Sequence, residues 1–206
     1  MKQALIYPSR SLPSTTAWVW GGLALILTGV FATLGGLVTD GVLDLHFLVL
    51  SGLEGEASGR WLQNWAQGLT NVAWAFVCLW IAARVIGQPV SASQLLAFQL
   101  MARWPMALAA AYLALPWVGE RILALTFEMI NALPAGPDEV MASARYLLPA
   151  LELTAWSVPL LACMAWMIWL MFESYRHLTQ ATLGQAVPSF IVAILIAEIL
   201  SKLTIW

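Results

Sequence analysis

The stretch Ala17–Val38, AWVWGGLALILTGVFATLGGLV, carries no ionisable side chain from end to end. A bilayer core of about 30 Å is crossed by about 20 apolar residues in a helix, so this segment alone is long enough to span. Trp18 and Trp20 stand at its start as interfacial anchors, and Gly21, Gly22, Gly29, Gly35 and Gly36 offer close-packing surface to other helices. Four further apolar stretches follow the same plan, giving spans at about 17–38, 68–86, 104–121, 146–172 and 187–205. The expected fold is therefore all-α: a single polytopic membrane helical bundle over residues 1–206, with five transmembrane helices of which the third is kinked.

Composition agrees with that environment. Hydrophobic residues make up 61% of the chain and charged residues 10%, with a mean hydropathy of +0.81, against about 25% charged residues in an ordinary soluble domain. The five crossings and their connections use nearly all of the 206 residues. The polar stretches Asp40–Gly68 and Ala132–Arg145 are too short for a core of their own. The net charge of −2 comes without a basic tract, which speaks against nucleic acid as a partner. Lys2 and Arg10 ahead of an apolar run resemble a secretory signal, but the run to Thr39 is longer than a signal core of about 7–15 residues and reads as a retained first span. Cys78 and Cys163 fall inside spans, where free cysteine behaves as a small buried hydrophobe and no disulfide is expected.

The third span is irregular. Its uncharged window, Trp104–Gly119, is too short to cross unaided, so the helix either begins near Ser91 and bends at Pro105 or continues past Glu120-Arg121 towards Leu133. Pro105 and Pro116 both remove backbone donors and favour kinks. Before it, the turn Gly87-Gln88-Pro89 ends span two, and Ser91 with Gln94 matches a capping box that restarts a helix. With the N-terminus cytoplasmic, Lys2, Arg10, Arg84, Arg103 and Arg176 lie inside and Arg60, Arg121, Arg145 and Lys202 lie outside or near the outer face. The positive-inside rule thus favours N-inside and C-outside.

Few residues inside the spans are able to carry chemistry. Glu198 lies about 16 Å into the last span at 1.5 Å per residue, near the midplane. Insertion scales charge about 2.5 to 3.5 kcal/mol for a central aspartate, so an intramembrane acid is either functional or paired. Lys202, one turn on, is at the favourable i,i+4 spacing for a pair that snorkels outward. Glu152 in span four sits at a comparable expected depth. It either joins Glu198 in a proton or cation site, stays neutral by burial and bonds a kinked helix's carbonyl, or is neutralised by Arg121, which is able to serve either acid. Asp40, Asp44 and His46 in DGVLDLHF offer carboxylate and imidazole to a divalent metal. On a continuing helix, however, His46 points away from the face that Asp40 and Asp44 share, so the ligand geometry is poor. His177 beside Arg176 reads as a solvated anchor in a cytoplasmic turn. The twelve tryptophans and eight methionines read as packing and interface residues. No HExxH, GxSxG, P-loop or haem-spaced histidine pair occurs in the sequence, so neither an enzyme nor a cofactor is expected.

The stretch Ala82–Pro116, AARVIGQPVSASQLLAFQLMARWPMALAAAYLALP, resembles the signature region of the YIP family of multispanning membrane proteins: a helix end, a glycine turn, a polar helix, then an arginine and proline opening the next span. Gly87, Gln94, Arg103 and Pro105 match that pattern, and DGVLDLHF is similar to a segment after the first span in bacterial members. The resemblance implies five spans, a cytoplasmic N-terminus and the bacterial inner membrane. The stretch ahead of Ala17 is shorter than the cytoplasmic region through which eukaryotic members meet Rab-type GTPases, so no such role is expected. Two function classes follow. One is a membrane scaffold or interaction protein with the lipid bilayer, itself or another membrane protein as partner. The alternative is a small proton- or cation-coupled transporter or channel using Glu152 and Glu198 with Arg121, Arg103 and Lys202. What separates them is whether the two acids face one hydrated cavity or each has a local partner.

Overall fold

The computed structural model describes residues 6–40, 45–48, 57–131 and 144–204. Eight helices occur among them: α1 Pro8–Ser11, α2 Ser14–Leu34, α3 Ala57–Val85, α4 Ala92–Met101, α5 Trp104–Leu113, α6 Pro116–Asn131, α7 Ala144–Thr179 and α8 Leu183–Thr204. Four of these are long and apolar enough to cross a membrane, and a fifth crossing results if the bent pair Ala92–Leu113 and Pro116–Ile130 counts as one span. The protein is an all-α polytopic bundle with one small exception, a hairpin.

That hairpin corrects the end of the first span. The helix stops at Leu34 rather than Val38, because Gly36 takes a left-handed φ of 63° and its N–H bonds back to the Thr33 carbonyl. Glycine just past a last helical turn adopts that conformation without steric cost. The chain then extends as β1 Leu37–Asp40, paired antiparallel with β2 Leu45–Leu48. Val38 and Thr39 are β-branched and suit a strand.

The helices alternate in direction. Gly68 lies against Leu25 and Gly29 against Trp65, so α3 returns antiparallel to α2. Gly21 lies against Leu100 and Gly35 against Ala114, so α4 and α5 run parallel to α2. Gln99 bonds the Met171 carbonyl and Tyr112 the Trp156 carbonyl, which sets α7 antiparallel to α4–α5. Trp74 bonds Thr204, near the far end of α8, while the start of α8 lies beside the end of α3, so α8 is antiparallel to α3. Residues 14 and 204 therefore point to opposite ends of the bundle.

Three further boundaries differ from expectation. The amphipathic piece Trp61–Gln67 is continuous with span two in one helix, Ala57–Val85. Span three exceeds the bounds 104–121 at both ends: it begins at Ala92, beside the Ser91 start that its short uncharged window allowed, and it also runs on past Glu120-Arg121. Its opening helix is not polar, because Leu95, Ala97, Phe98 and Leu100 are buried against the bundle. The sharp bend, 82°, falls at Pro116, whereas Pro105 sits in the first turn of α5, where its missing N–H costs nothing. Span four runs on to Thr179, so Arg176 and His177 occupy the last turn of α7 rather than a loop. Cations there face the negative end of the helix dipole. The main core lies between α3, α4, α5, α7 and α8, with Leu79, Leu95, Met167, Met171 and Tyr175 fully enclosed. Cys78 and Cys163 are both free thiols.

Candidate functional site

The expected acids part company in the fold. Arg121 is carried on α6, which the bend at Pro116 swings across the end of α7. Its guanidinium grips Glu152 bidentately, Nε to Oε1 at 2.6 Å and Nη2 to Oε2 at 2.6 Å. The indole N–H of Trp156, one turn along α7, adds a bond to Oε1 at 3.4 Å. Planar fork-to-carboxylate pairing of this kind is the strongest an arginine makes. Of the three arrangements open to Glu152, the fold adopts the ion pair with Arg121; the neutral carboxyl bonded to a freed carbonyl is not what forms. Trp117 stacks edge-on against Trp156 with centroids 5.7 Å apart.

Glu198 is handled within its own helix. Lys202 Nζ approaches its Oε1 at 3.3 Å across one turn of α8, the i,i+4 pairing that its sequence spacing favours. Among the described residues, two of the cavities lie beside these helices. One, about 220 Å3, lies between α5 and α7 and is lined by Met106, Leu113, Leu160 and Met164; the other, about 490 Å3, lies between α3 and α8. Neither is lined by Glu152, Glu198, Arg121 or Lys202.

The residues of the signature pattern fall as follows. Gly87 makes the turn after α3 with φ 72°. Ser91 is the N-cap of α4 but forms no side-chain capping bond, so the capping box with the exposed Gln94 is not built. Arg103 lies at the junction of α4 and α5, only 1% exposed, with Nη1 3.7 Å from Met167 Sδ. Pro105 opens α5.

Of the proposed metal ligands, Asp40 and His46 sit on a hairpin rather than a helix. Asp40 pairs with Leu45 and His46 with Thr39 in the strand register. Asp44 itself lies outside the described residues. Among the described residues no group of three or more His, Cys, Asp or Glu is placed to hold a metal.

Two features escaped the sequence reading. The first is Glu173 on α7, 3% exposed, which receives Ser9 Oγ at 2.8 Å and Arg10 Nε at 2.9 Å from α1. This clasp ties the segment before the first span to the fourth. Ending span four at Phe172 left Glu173 as an ordinary flanking charge, when in fact the helix carries it inward. The second is a buried polar face. Asn64, Gln67 and Asn71 recur on α3 at i, i+3 and i+7, one helix face, and all three are buried, as is Gln99 on α4. Asn64 donates to the Leu37 carbonyl at 3.1 Å, which pins the start of the hairpin. That spacing was the available signal.

Gln99 is only half satisfied. Its Nε2 reaches the Met171 carbonyl at 3.3 Å and its Oε1 has no hydrogen-bond partner. A buried orphan acceptor costs about 1–3 kcal/mol, comparable to what one bond returns. Gln99→Leu, similar in size, is expected to leave the unfolding midpoint in denaturing detergent unchanged or raised. A large loss would show that Gln99 is held by more than this bond.

Comparison with known protein families, with curated proteins and with solved structures finds no match for this chain.

Proposed function

We propose that the chain is an integral membrane scaffold or interaction protein of the YIP-like type, without catalytic activity, set in the bacterial cytoplasmic membrane with its N-terminus inside and its C-terminus outside. The observation that carries this reading is local neutralisation of the intramembrane acids. A coupled transporter keeps its carboxylates on a shared hydrated path where they exchange partners. Here Glu152 is held bidentately by Arg121, and Glu198 is paired one turn along its own helix with Lys202.

The orientation is supported by the basic residues. Arg10, clasped to Glu173, together with Arg84 and Arg176 in the last turns of α3 and α7, gathers at the end of the bundle where α2 begins. Such clustering marks a cytoplasmic face. The family reading rests on the local plan around Gly87, Arg103 and Pro105.

Partner contacts are assigned to α7. Only 17% of its apolar window is buried within the protein, against 39% for that of α3, and Leu148, Leu151, Val158 and Leu161 stand exposed. A photo-crosslinking residue placed at Leu148 or Leu161 in native membranes is expected to give a discrete protein adduct, either a second copy or another membrane protein. Lipid adducts alone at both positions would remove the interaction role.

A further inference from the structure

α6 departs from the direction of the crossings. Its axis makes an angle of 82° with the Ala92–Leu113 segment, and a helix so turned from a crossing lies nearly in the plane of the membrane. The bent third span does not need α6 for length. Ala92–Leu113 alone rises about 32 Å at 1.5 Å per residue, enough for a hydrocarbon core of about 30 Å, and the polar Gln99 and Arg103 within it are buried in the bundle.

α7 sets the depth. Glu152 and Glu173 bracket Leu153–Phe172, a stretch without charge that rises about 30 Å, the thickness of the core. Glu173 lies at the end where Arg10 of α1 clasps it, so Glu152 marks the opposite edge, at the end of the bundle where α2 finishes. Arg121 grips Glu152, and Trp117 stacks on Trp156 one turn deeper. The first turns of α6 are thus held at the edge of the hydrocarbon.

At about 100° per residue the side chains of α6 sort into three arcs. Val118, Ile122 and Leu125 face the bundle: Val118 and Leu125 are fully buried, and Ile122 packs on the cluster that contains Val118. Leu123, Phe127 and Ile130 make an apolar arc, with Phe127 and Ile130 exposed and Leu123 half-buried. Glu120, Ala124 and Glu128 make the third arc and are all exposed. An apolar arc beside an acidic one, in the membrane plane and at the edge of the hydrocarbon, fits the boundary between headgroups and acyl chains. We propose that only the α4–α5 part of the third span crosses, and that α6 lies along this boundary with Leu123, Phe127 and Ile130 in the acyl chains and Glu120 and Glu128 in water. The exposed charges are acidic, so the acyl chains supply the attraction and anionic headgroups do not. The inference rests on the membrane reading of the fold and not on the scaffold role.

The depth of nitroxide labels tests it. Single cysteines replace Leu123, Ala124, Phe127, Glu128 or Val158 in the full chain carrying Cys78→Ala and Cys163→Ala, and each labelled protein is reconstituted in phosphatidylethanolamine and phosphatidylglycerol liposomes. Power saturation with oxygen and with a water-soluble nickel chelate reads the depth. The Val158 label, exposed on α7 and about 9 Å inward of Glu152, is expected deep in the hydrocarbon. Labels at Leu123 and Phe127 are expected about 5–10 Å into the acyl boundary, and those at Ala124 and Glu128 in water, so sequence neighbours differ severalfold in oxygen-to-nickel accessibility. A helix that continued the crossing would instead change depth steadily by about 1.5 Å per residue, and that ramp would overturn the proposal. So would all four α6 labels in water, labels at Leu123 and Phe127 shielded from both reagents by a protein partner, or a Val158 label in water, which would remove the membrane register as well. Either neighbouring pair decides alone should a label in the other prevent folding.

Discussion

Gly21→Ala is expected to destabilise the bundle by about 1–3 kcal/mol, towards the upper end, as overpacking of a tight core does, while Gly22→Ala is neutral or slightly stabilising. The two glycines are neighbours in sequence and opposites in the fold. A methyl group on Gly21 would lie 2.6 Å from Leu100 Cβ and 2.7 Å from the Met101 backbone nitrogen. Backbone cannot rotate aside, so α2 and α4 must separate, and with them the packing that brings the third span against the first. At Gly22 the same methyl meets nothing within 4 Å, and alanine gains the helix propensity that glycine lacks, about 1 kcal/mol. Unfolding of both variants in a denaturing-detergent titration checks the pair. Equal effects would mean that the α2–α4 contact is looser than described.

Arg10→Ala is expected to cost about 3 kcal/mol and to free the N-terminal segment. Glu173 is 3% exposed while Arg10 is 51% exposed, so the two partners are unequal. Removing the arginine strands a carboxylate in the interior with only Ser9 to bond it, and uncompensated buried charge is among the costliest single changes. Glu173→Gln is milder, because the amide keeps an acceptor for Ser9 and Arg10 rehydrates where it stands. The readout is hydrogen exchange over residues 6–12 together with thermal stability. Arg10→Ala should raise exchange at the Leu12 amide, which bonds the Pro8 carbonyl, and should lower the melting temperature more than Glu173→Gln does. The reverse order would show that the clasp acts through Glu173's packing and not its charge.

These two sites mark where sequence was and was not legible. The apolar crossings were readable because composition alone decides solvent, and Ala17–Val38 has no charge to contradict it. Glu198 and Lys202 were readable as a pair because their relation is local, one helical turn, and needs no tertiary fold. Glu152 and Arg121 were readable only as one of several arrangements, because they stand on separate helices whose meeting depends on the 82° bend after Leu113. Sequence located Pro116 but did not show how far the chain would swing there. Gly35-Gly36 contained the stop signal for α2, a glycine able to turn left-handed, yet the apolar run past it outweighed the signal and extended the span to Val38. Glu173 was lost by the opposite error, ending a helix at the last apolar residue when its periodicity continued to Thr179. The inward face of Asn64, Gln67 and Asn71 has regular spacing, but a polar stripe on an amphipathic helix reads equally as solvent-facing until its neighbours are placed.

On the scaffold reading, Glu152 and Glu198 are charges neutralised where they stand and do not form steps on a path. Proton flux into proteoliposomes, driven by an imposed potential and followed with an entrapped pH dye, tests it most directly with wild type, Glu152→Gln and Glu198→Gln. The account predicts that all three match protein-free liposomes. Flux in the wild type that either substitution abolishes would contradict it.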